Sequence, residues 1–273
     1  MSDHNPYEPP KADLERHIEV AADHLAEPPR RHGAAQGWNW IANGFRMFGA
    51  NPLNWVLICV ITLIFMMILS FIPIVSLISY PLGIVFNAGI MFGAHEQHRG
   101  GRLEVEHLFS GFKRNTGNLF ALGFLYLVGA ILVLIVGALM FFSSGGLDFL
   151  QMSMTGQQPD PEQLQQMFSG TFWIMLLVMF VLFIPLIMAI WFAPALVILN
   201  DVGPIEAMQL SFRACLRNIW PYLIYGLVWI PILIIAVIPL GLGLLVVYPA
   251  MMASIYVAYR DILIEDNPDG MAA

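Results

Sequence analysis

Six long apolar stretches alternate with polar segments along this chain, at lengths that suit membrane-crossing helices rather than strands. The spans read as about 54–72, 74–94, 119–142, 171–199, 221–238 and 240–259. Little more than Pro73 separates the first two, and the last two meet at Pro239. The pattern predicts an all-α membrane protein of six transmembrane helices arranged as three hairpins. The fourth stretch is longer than a bilayer needs and holds Pro185 and Pro194, so a kink or strong tilt is expected there.

The polar segment leading into each hairpin repeats a motif. Gly44-Phe45-Arg46 is followed by Asn51, Gly111-Phe112-Lys113 by Asn118, and Ser211-Phe212-Arg213 by Asn218. Each is a small residue, Phe and a basic residue, with Asn six positions beyond the Phe. Apolar residues four and seven positions earlier are Ile41 and Trp38, Leu108 and Val105, and Met208 and Ile205. That spacing predicts an amphipathic helix on the cytoplasmic face before every hairpin, lying in the headgroup plane. The three Asn residues are expected to turn the chain into the bilayer, because Asn tolerates the left-handed backbone of helix ends. Pro81 and Pro249, each preceded by Tyr, lie 36 and 37 residues beyond their Phe, and Pro185 takes the comparable place in the middle hairpin. A threefold internal repeat follows.

Charge orients the spans. All 12 Lys and Arg residues fall in alternate gaps: before the first span, then Arg99, Arg102, Lys113 and Arg114, then Arg213 and Arg217, then Arg260. The gap 143–170 has none, although it holds Asp148, Asp160 and Glu162. Basic loops stay inside during insertion, so both termini are expected in the cytoplasm of a bacterial inner membrane, with 143–170 as an outward loop. Hydrophobic residues make up 58% of the chain and charged ones 11%, which leaves little mass outside the bilayer. The net charge of −7 resides mainly in the two tails, and nucleic acid is not an expected partner. Cys59 lies within a span and Cys215 on the cytoplasmic side, so no disulfide is expected. The first forty or so residues lack the apolar core of a signal peptide, so the first span is expected to direct insertion.

Residues 1–36 read as a cytoplasmic tail, 37–265 as the membrane domain and 266–273 as a C-terminal cytoplasmic tail. Between Pro9-Pro10 and Pro28-Pro29, the spacing of Leu14, Ile18, Ala21, Ala22 and Leu25 predicts one short amphipathic helix. In the outward loop, Asp160-Pro161-Glu162 resembles a helix start, with Leu164, Met167 and Phe168 as its apolar side.

The six spans contain no Asp, Glu, Lys or Arg, which argues against ion-coupled transport through charged side chains and against intramembrane hydrolysis by a carboxylate. Asn87 is the polar amide near mid-span, and two roles fit it: an interhelical hydrogen bond or a substrate contact. His95, Glu96, His98, Glu104, Glu106 and His107 raise the question of a metal, but the spacing is not that of the metalloprotease helix and no metal is expected. No phosphate loop, nucleophile elbow or dinucleotide fingerprint is found, so neither an enzymatic reaction nor a cofactor is expected. Arg46, Lys113 and Arg213 sit where lipid headgroups would be, as candidate contacts to anionic lipid. The resulting expectation is a non-enzymatic protein that organises membrane lipids, or another membrane or cytoplasmic protein. The competing expectation is a transporter or flippase-like carrier for an uncharged or lipidic substrate.

Particular residues also carry a resemblance. Gly37-Trp38-Asn39-Trp40, Phe45 and Phe48, Asn51-Pro52, Gly203-Pro204-Ile205-Glu206-Ala207-Met208 and Tyr259-Arg260-Asp261-Ile262 resemble an uncharacterised family of bacterial six-helix integral membrane proteins. The layout is similar to that of YciC-like proteins and of the membrane domain of some glycerophosphodiester phosphodiesterases. The resemblance implies the fold over about residues 36–265 and no particular activity, since that family has no established reaction; without a phosphodiesterase catalytic domain, that activity is not carried over.

Overall fold

Helices follow the apolar stretches, and their ends fall where prolines, glycines and asparagines interrupt the pattern. The computed structural model describes residues 24–71, 76–156, 160, 165 and 170–265. The expected helix near Leu14, the Pro73 turn, most of the expected outer helix and residues 266–273 lie outside these described residues. The elements are α1 (Gln36–Ala50), α2 (Pro52–Ser70), α3 (Ser76–His98), a 3-10 segment (Val105–Phe112), α4 (Thr116–Phe141), α5 (Leu147–Thr155), α6 (Gly170–Ile190), α7 (Ala193–Asn200), α8 (Pro204–Arg217), α9 (Ile219–Val237) and α10 (Leu244–Leu263). Among the described residues the chain is all-helical apart from one antiparallel bridge between Leu25 and Ile264.

Four stretches are long and apolar enough to cross a membrane: Pro52–Ser70, Thr116–Ser144, Gly170–Asn200 and Ile219–Val237. These make the chain an integral membrane protein. The other two expected spans correspond to α3 and α10, of 23 and 20 residues, which are more polar. Both lie deep in the packing: α3 buries Val85, Phe86, Ala88, Ile90, Met91 and Ala94, and α10 buries most of its face from Val247 to Leu263. A helix sheathed by its neighbours can use Ala, Gly and Ser, which permit close approach, instead of Leu and Ile.

The segments ahead of α2, α4 and α9 are amphipathic, but they differ from one another. Two are α-helices, α1 and α8; the middle one is the tighter 3-10 coil. There the backbone N–H of Glu104 donates to His107 Nδ1 at 3.1 Å, and the Glu104 side chain caps the His107 end in return. The expected apolar stripe also divides. Ile41 and Leu108 are buried, whereas Trp38 and Ile205 are 56% and 62% exposed. The protein-facing side combines large residues, Trp40 and Phe48 in α1 and Leu210 in α8, with small ones such as Gly37 and Gly44 in α1 and Ala207, Ser211 and Ala214 in α8.

Those small residues set the contacts. A Cβ at Gly44 would lie 2.5 Å from Ser254 Cβ on α10, and one at Gly111 would collide with the Val85 carbonyl oxygen on α3. Ser211 on α8 reaches the end of α6, donating to Met188 O at 2.7 Å and accepting the Phe192 N–H at 2.9 Å. This last contact explains the fourth span. Its helix runs on through Pro185 and breaks at Trp191-Phe192, ahead of Pro194 at the start of α7. Proline lacks an N–H and disfavours helix in the residue before it, so Ser211 supplies partners for groups that the broken ladder leaves free.

One further difference lies beyond α4. Residues 143–155, expected to begin the outward loop, continue the helix through a π turn (Phe142–Gly146) into α5, which stops at left-handed Gly156. Turn chemistry is thus deferred to the residue that can adopt a positive φ.

Candidate functional site

At the end of the bundle that carries the described Lys and Arg residues, polar side chains tie the helix corners to the connecting segments. Asn51 follows α1, and its Nδ2 donates to Leu103 O at 2.9 Å; Asn54 Nδ2 reaches the same oxygen at 2.6 Å. Asn115 opens α4, and its Nδ2 donates to Val197 O at 2.9 Å and to Asp201 Oδ1. Asn218 joins α8 to α9, and its Nδ2 donates to Arg30 O and to Ala214 O, each at 2.9 Å, while its Oδ1 accepts the His32 N–H at 2.9 Å. A backbone carbonyl turned away from its own helix needs a donor, and the Asn amide provides one.

The expected corner role of asparagine needs correction in two respects. Asn51 and Asn218 have φ of −149° and −119°, so neither is left-handed and each acts through its side chain. In the middle segment the corner is Asn115, with φ of 51°, and Asn118 lies within α4. The 3-10 segment ends at Phe112, and the chain turns three residues before the repeated Asn is reached.

Residues 24–35, within the stretch read as a tail, form an extended strap along the end of α10. Ala26 N–H donates to Leu263 O at 2.8 Å and Arg30 N–H to Ile262 O at 2.9 Å. Beside the strap sits Asp261, whose Oδ2 accepts from Gln36 Nε2 and from Trp40 Nε1, both at 2.7 Å. His32 Nε2 lies 3.1 Å from the Asp261 carbonyl oxygen and 3.6 Å from its carboxylate. Trp40 is fully buried, so its indole N–H requires this acceptor. Farther around the same end, Trp55 Nε1 donates to Gln97 Oε1 at 2.9 Å, Gln97 Nε2 donates to Met47 O at 2.7 Å, and Tyr259 pairs with Asn200.

The sequence-predicted residues fall around this polar layer. Arg46, Lys113 and Arg213 are all exposed. Arg46 Nη1 donates to Asn43 Oδ1 at 3.1 Å, and Lys113 Nζ lies 2.7 Å from Glu106 Oε1. The Lys113 hydrogen bond and charge hold the Glu106 carboxyl below its ordinary range. Asn87 is half-buried between α3 and α10, with Nδ2 at 4.0 Å from Met252 Sδ. The His and Glu cluster does not converge. His95 Nδ1 lies 3.0 Å from Tyr256 OH, His107 serves the 3-10 cap, and among the described residues no three His, Cys, Asp or Glu side chains could share a metal. Cys59 and Cys215 are both buried and unbridged.

Comparison with known proteins places this arrangement. The model of a domain of unknown function, DUF7847, matches residues 106–265, more than half of the chain. The chain belongs to that family. It is also similar to a protein of Burkholderia thailandensis named a probable inner membrane protein, with 29% identity over 229 residues, which are 82% of this chain and 81% of that protein. No solved structure matches. The expected uncharacterised membrane family is thereby supported; the likeness to YciC-like proteins and to the phosphodiesterase membrane domain goes beyond these matches.

Proposed function

We propose that the chain is a multi-pass protein of the bacterial inner membrane, without enzymatic activity, that organises anionic lipid or a partner protein at its cytoplasmic face. In this reading α2, α3, α4, α6 with α7, α9 and α10 form six spans, both termini are cytoplasmic, and the molecule is built from three amphipathic-segment-plus-hairpin units. The inner-membrane assignment draws on the name of the Burkholderia relative and on the confinement of Lys and Arg to alternate gaps.

Recurring contacts support the threefold unit. Gly44, Gly111 and Ser211 each press on the second helix of the preceding hairpin, counted cyclically: α10, α3 and α6. Asn51 and Asn218 each hold a carbonyl of the following connection, at Leu103 and Arg30, and Asn115 reaches the Asp201 side chain in its connection as well as Val197 O in the last turns of α7. The last of these closes the ring, because the strap ahead of α1 occupies the place that a fourth connection would take.

The observation that carries the functional reading is the exposure of Arg46, Lys113 and Arg213, each close to the first turn of a candidate span. Basic side chains at that depth gain on the order of 1 kcal/mol each from anionic lipid. A carrier built around Asn87 has less support, since that amide packs against Met252. The test is native mass spectrometry of the chain with Arg46→Glu, Lys113→Glu and Arg213→Glu combined. Loss of retained anionic lipid is expected, and retention equal to the parent would remove the lipid reading.

A further inference from the structure

The three basic residues of the motif are not equivalent. Arg46 is tied to Asn43 and Lys113 to Glu106, whereas the Arg213 side chain makes no hydrogen bond or ion pair among the described residues. Arg213 instead borders a cleft of about 540 Å³ between α8 and the strap, with Arg217 and Leu216 on one wall and Glu27, Pro28 and Pro29 on the other. Arg217 also borders a second cleft, of about 460 Å³, whose other walls include Arg31, His32 and Trp220. Among the described residues, three arginines therefore line two adjoining hollows together with one carboxylate residue, Glu27.

The clefts have firm walls. Two successive prolines restrict the strap, the Arg30 N–H is bonded to Ile262 O, and its carbonyl is held by Asn218. Exposed apolar side chains adjoin these arginines: Leu216 at 49% lines the first cleft, Trp220 at 64% lines the second, and Ile219 at 51% stands next to Trp220 in the chain. Ile219 and Trp220 form the first turn of the candidate span Ile219–Val237, the depth at which tryptophan favours the headgroup boundary.

We propose that the paired clefts are a headgroup site for an anionic phospholipid, its phosphate held by Arg31, Arg213 and Arg217 and its acyl chains descending past Leu216 and Trp220 along α9. Guanidinium forks match phosphate oxygens in pairs. A free phosphate would be drawn by the same charges but would leave the apolar apron unused. The proposal rests on the lipid reading above and gives it a location.

The test uses the full chain in neutral detergent, titrated with phosphatidylglycerol or phosphatidylcholine and read by native mass spectrometry. One phosphatidylglycerol per chain is expected to be retained in preference to phosphatidylcholine. The variant Arg31→Gln/Arg213→Gln/Arg217→Gln should lose affinity by about tenfold or more. All three positions are exposed, so its melting temperature should match the parent. Glu27→Gln should tighten binding by removing the opposing charge, and Arg46→Gln/Lys113→Gln should leave this lipid in place. Retention by the triple variant, with loss in the Arg46/Lys113 variant, would overturn the cleft assignment while keeping the lipid reading. No preference for phosphatidylglycerol in the parent would overturn both. Displacement by inorganic phosphate at concentrations comparable to the lipid would assign the clefts to a soluble anion and overturn the lipid proposal.

Discussion

The two ends of this bundle are built from similar apolar helices and packed in opposite ways. At the basic end, Trp40, Trp55, Ile58, Met91, Leu103, Leu108 and Tyr256 are at most 1% exposed, and Ser211, Ser254 and Asn218 are buried with partners. At the opposite end, Phe71 is 78% exposed, Leu139 65%, Trp173 62% and Leu240 98%, and α6 contributes no buried residue between Gly170 and Ile190. The difference follows from what surrounds each end. Corners and connections carry free backbone groups that need donors and acceptors, so helices there close in on small residues and amides. Straight helix satisfies its own backbone and can be left to lipid.

This contrast orders the expected effects of substitution. The largest lies where backbones touch: Gly111→Val forces a branched side chain toward the Val85 carbonyl and should destabilise by about 3 kcal/mol, toward the upper end for overpacked sites. Denaturant titration of the purified protein in detergent would measure it, and a change near zero would contradict the close approach. Next comes the loss of polar clamps. Asp261→Ala leaves the buried Trp40 N–H without an acceptor and should cost about 1–3 kcal/mol, with Asp261→Asn milder because an oxygen remains. Ser211→Ala unpairs the Phe192 N–H and should fall at the lower end of the same range, about 1 kcal/mol. At the opposite end Leu139→Ala should stay within about 0.5 kcal/mol, since most of that side chain is already exposed.

The smallest effect concerns the exposed Lys113–Glu106 pair. The Glu106 pKa is lowered in the folded chain, so its contribution is present above the ordinary carboxylate range and lost as pH falls through the folded value. Glu106→Gln should therefore melt slightly below the parent near neutral pH and alongside it in acid. A parent whose margin over the variant grows on acidification would reverse the sign.

The contrast also explains what could be read from sequence. The apolar stretches, the Phe-basic motif and the corner at Asn218 are local patterns, and α2, α4, α6 and α9 fall close to the expected positions. The Asp261 knot was not legible, because Gln36 and Trp40 lie 225 and 221 residues away from it in the chain and nothing in their spacing relates them. Asn115 was hidden by the regular recurrence of Asn118 in the motif; the switch to a 3-10 coil shifts the corner, and a motif count cannot register that. Residues 24–35 carry the prolines and charges of a tail, and only their pairing with Ile262 and Leu263 reveals a strap. Break positions were half legible: both prolines of the fourth span were visible, but Pro194 interrupts the helix because Ser211 is there to receive the Phe192 N–H, and Pro185 does not.

The central claim is that the densely packed basic end faces the cytoplasm and the lipid-exposed end faces outward, with α3 and α10 crossing the membrane alongside the four more apolar helices. Single cysteines at Gly100, Gly156 and Gly241, placed in a Cys59→Ala/Cys215→Ser background, would test it in intact cells with a membrane-impermeant thiol reagent. Labelling at Gly156 and Gly241 with protection at Gly100 is the expected result. Protection at Gly156 or Gly241, or labelling at Gly100, would contradict the arrangement.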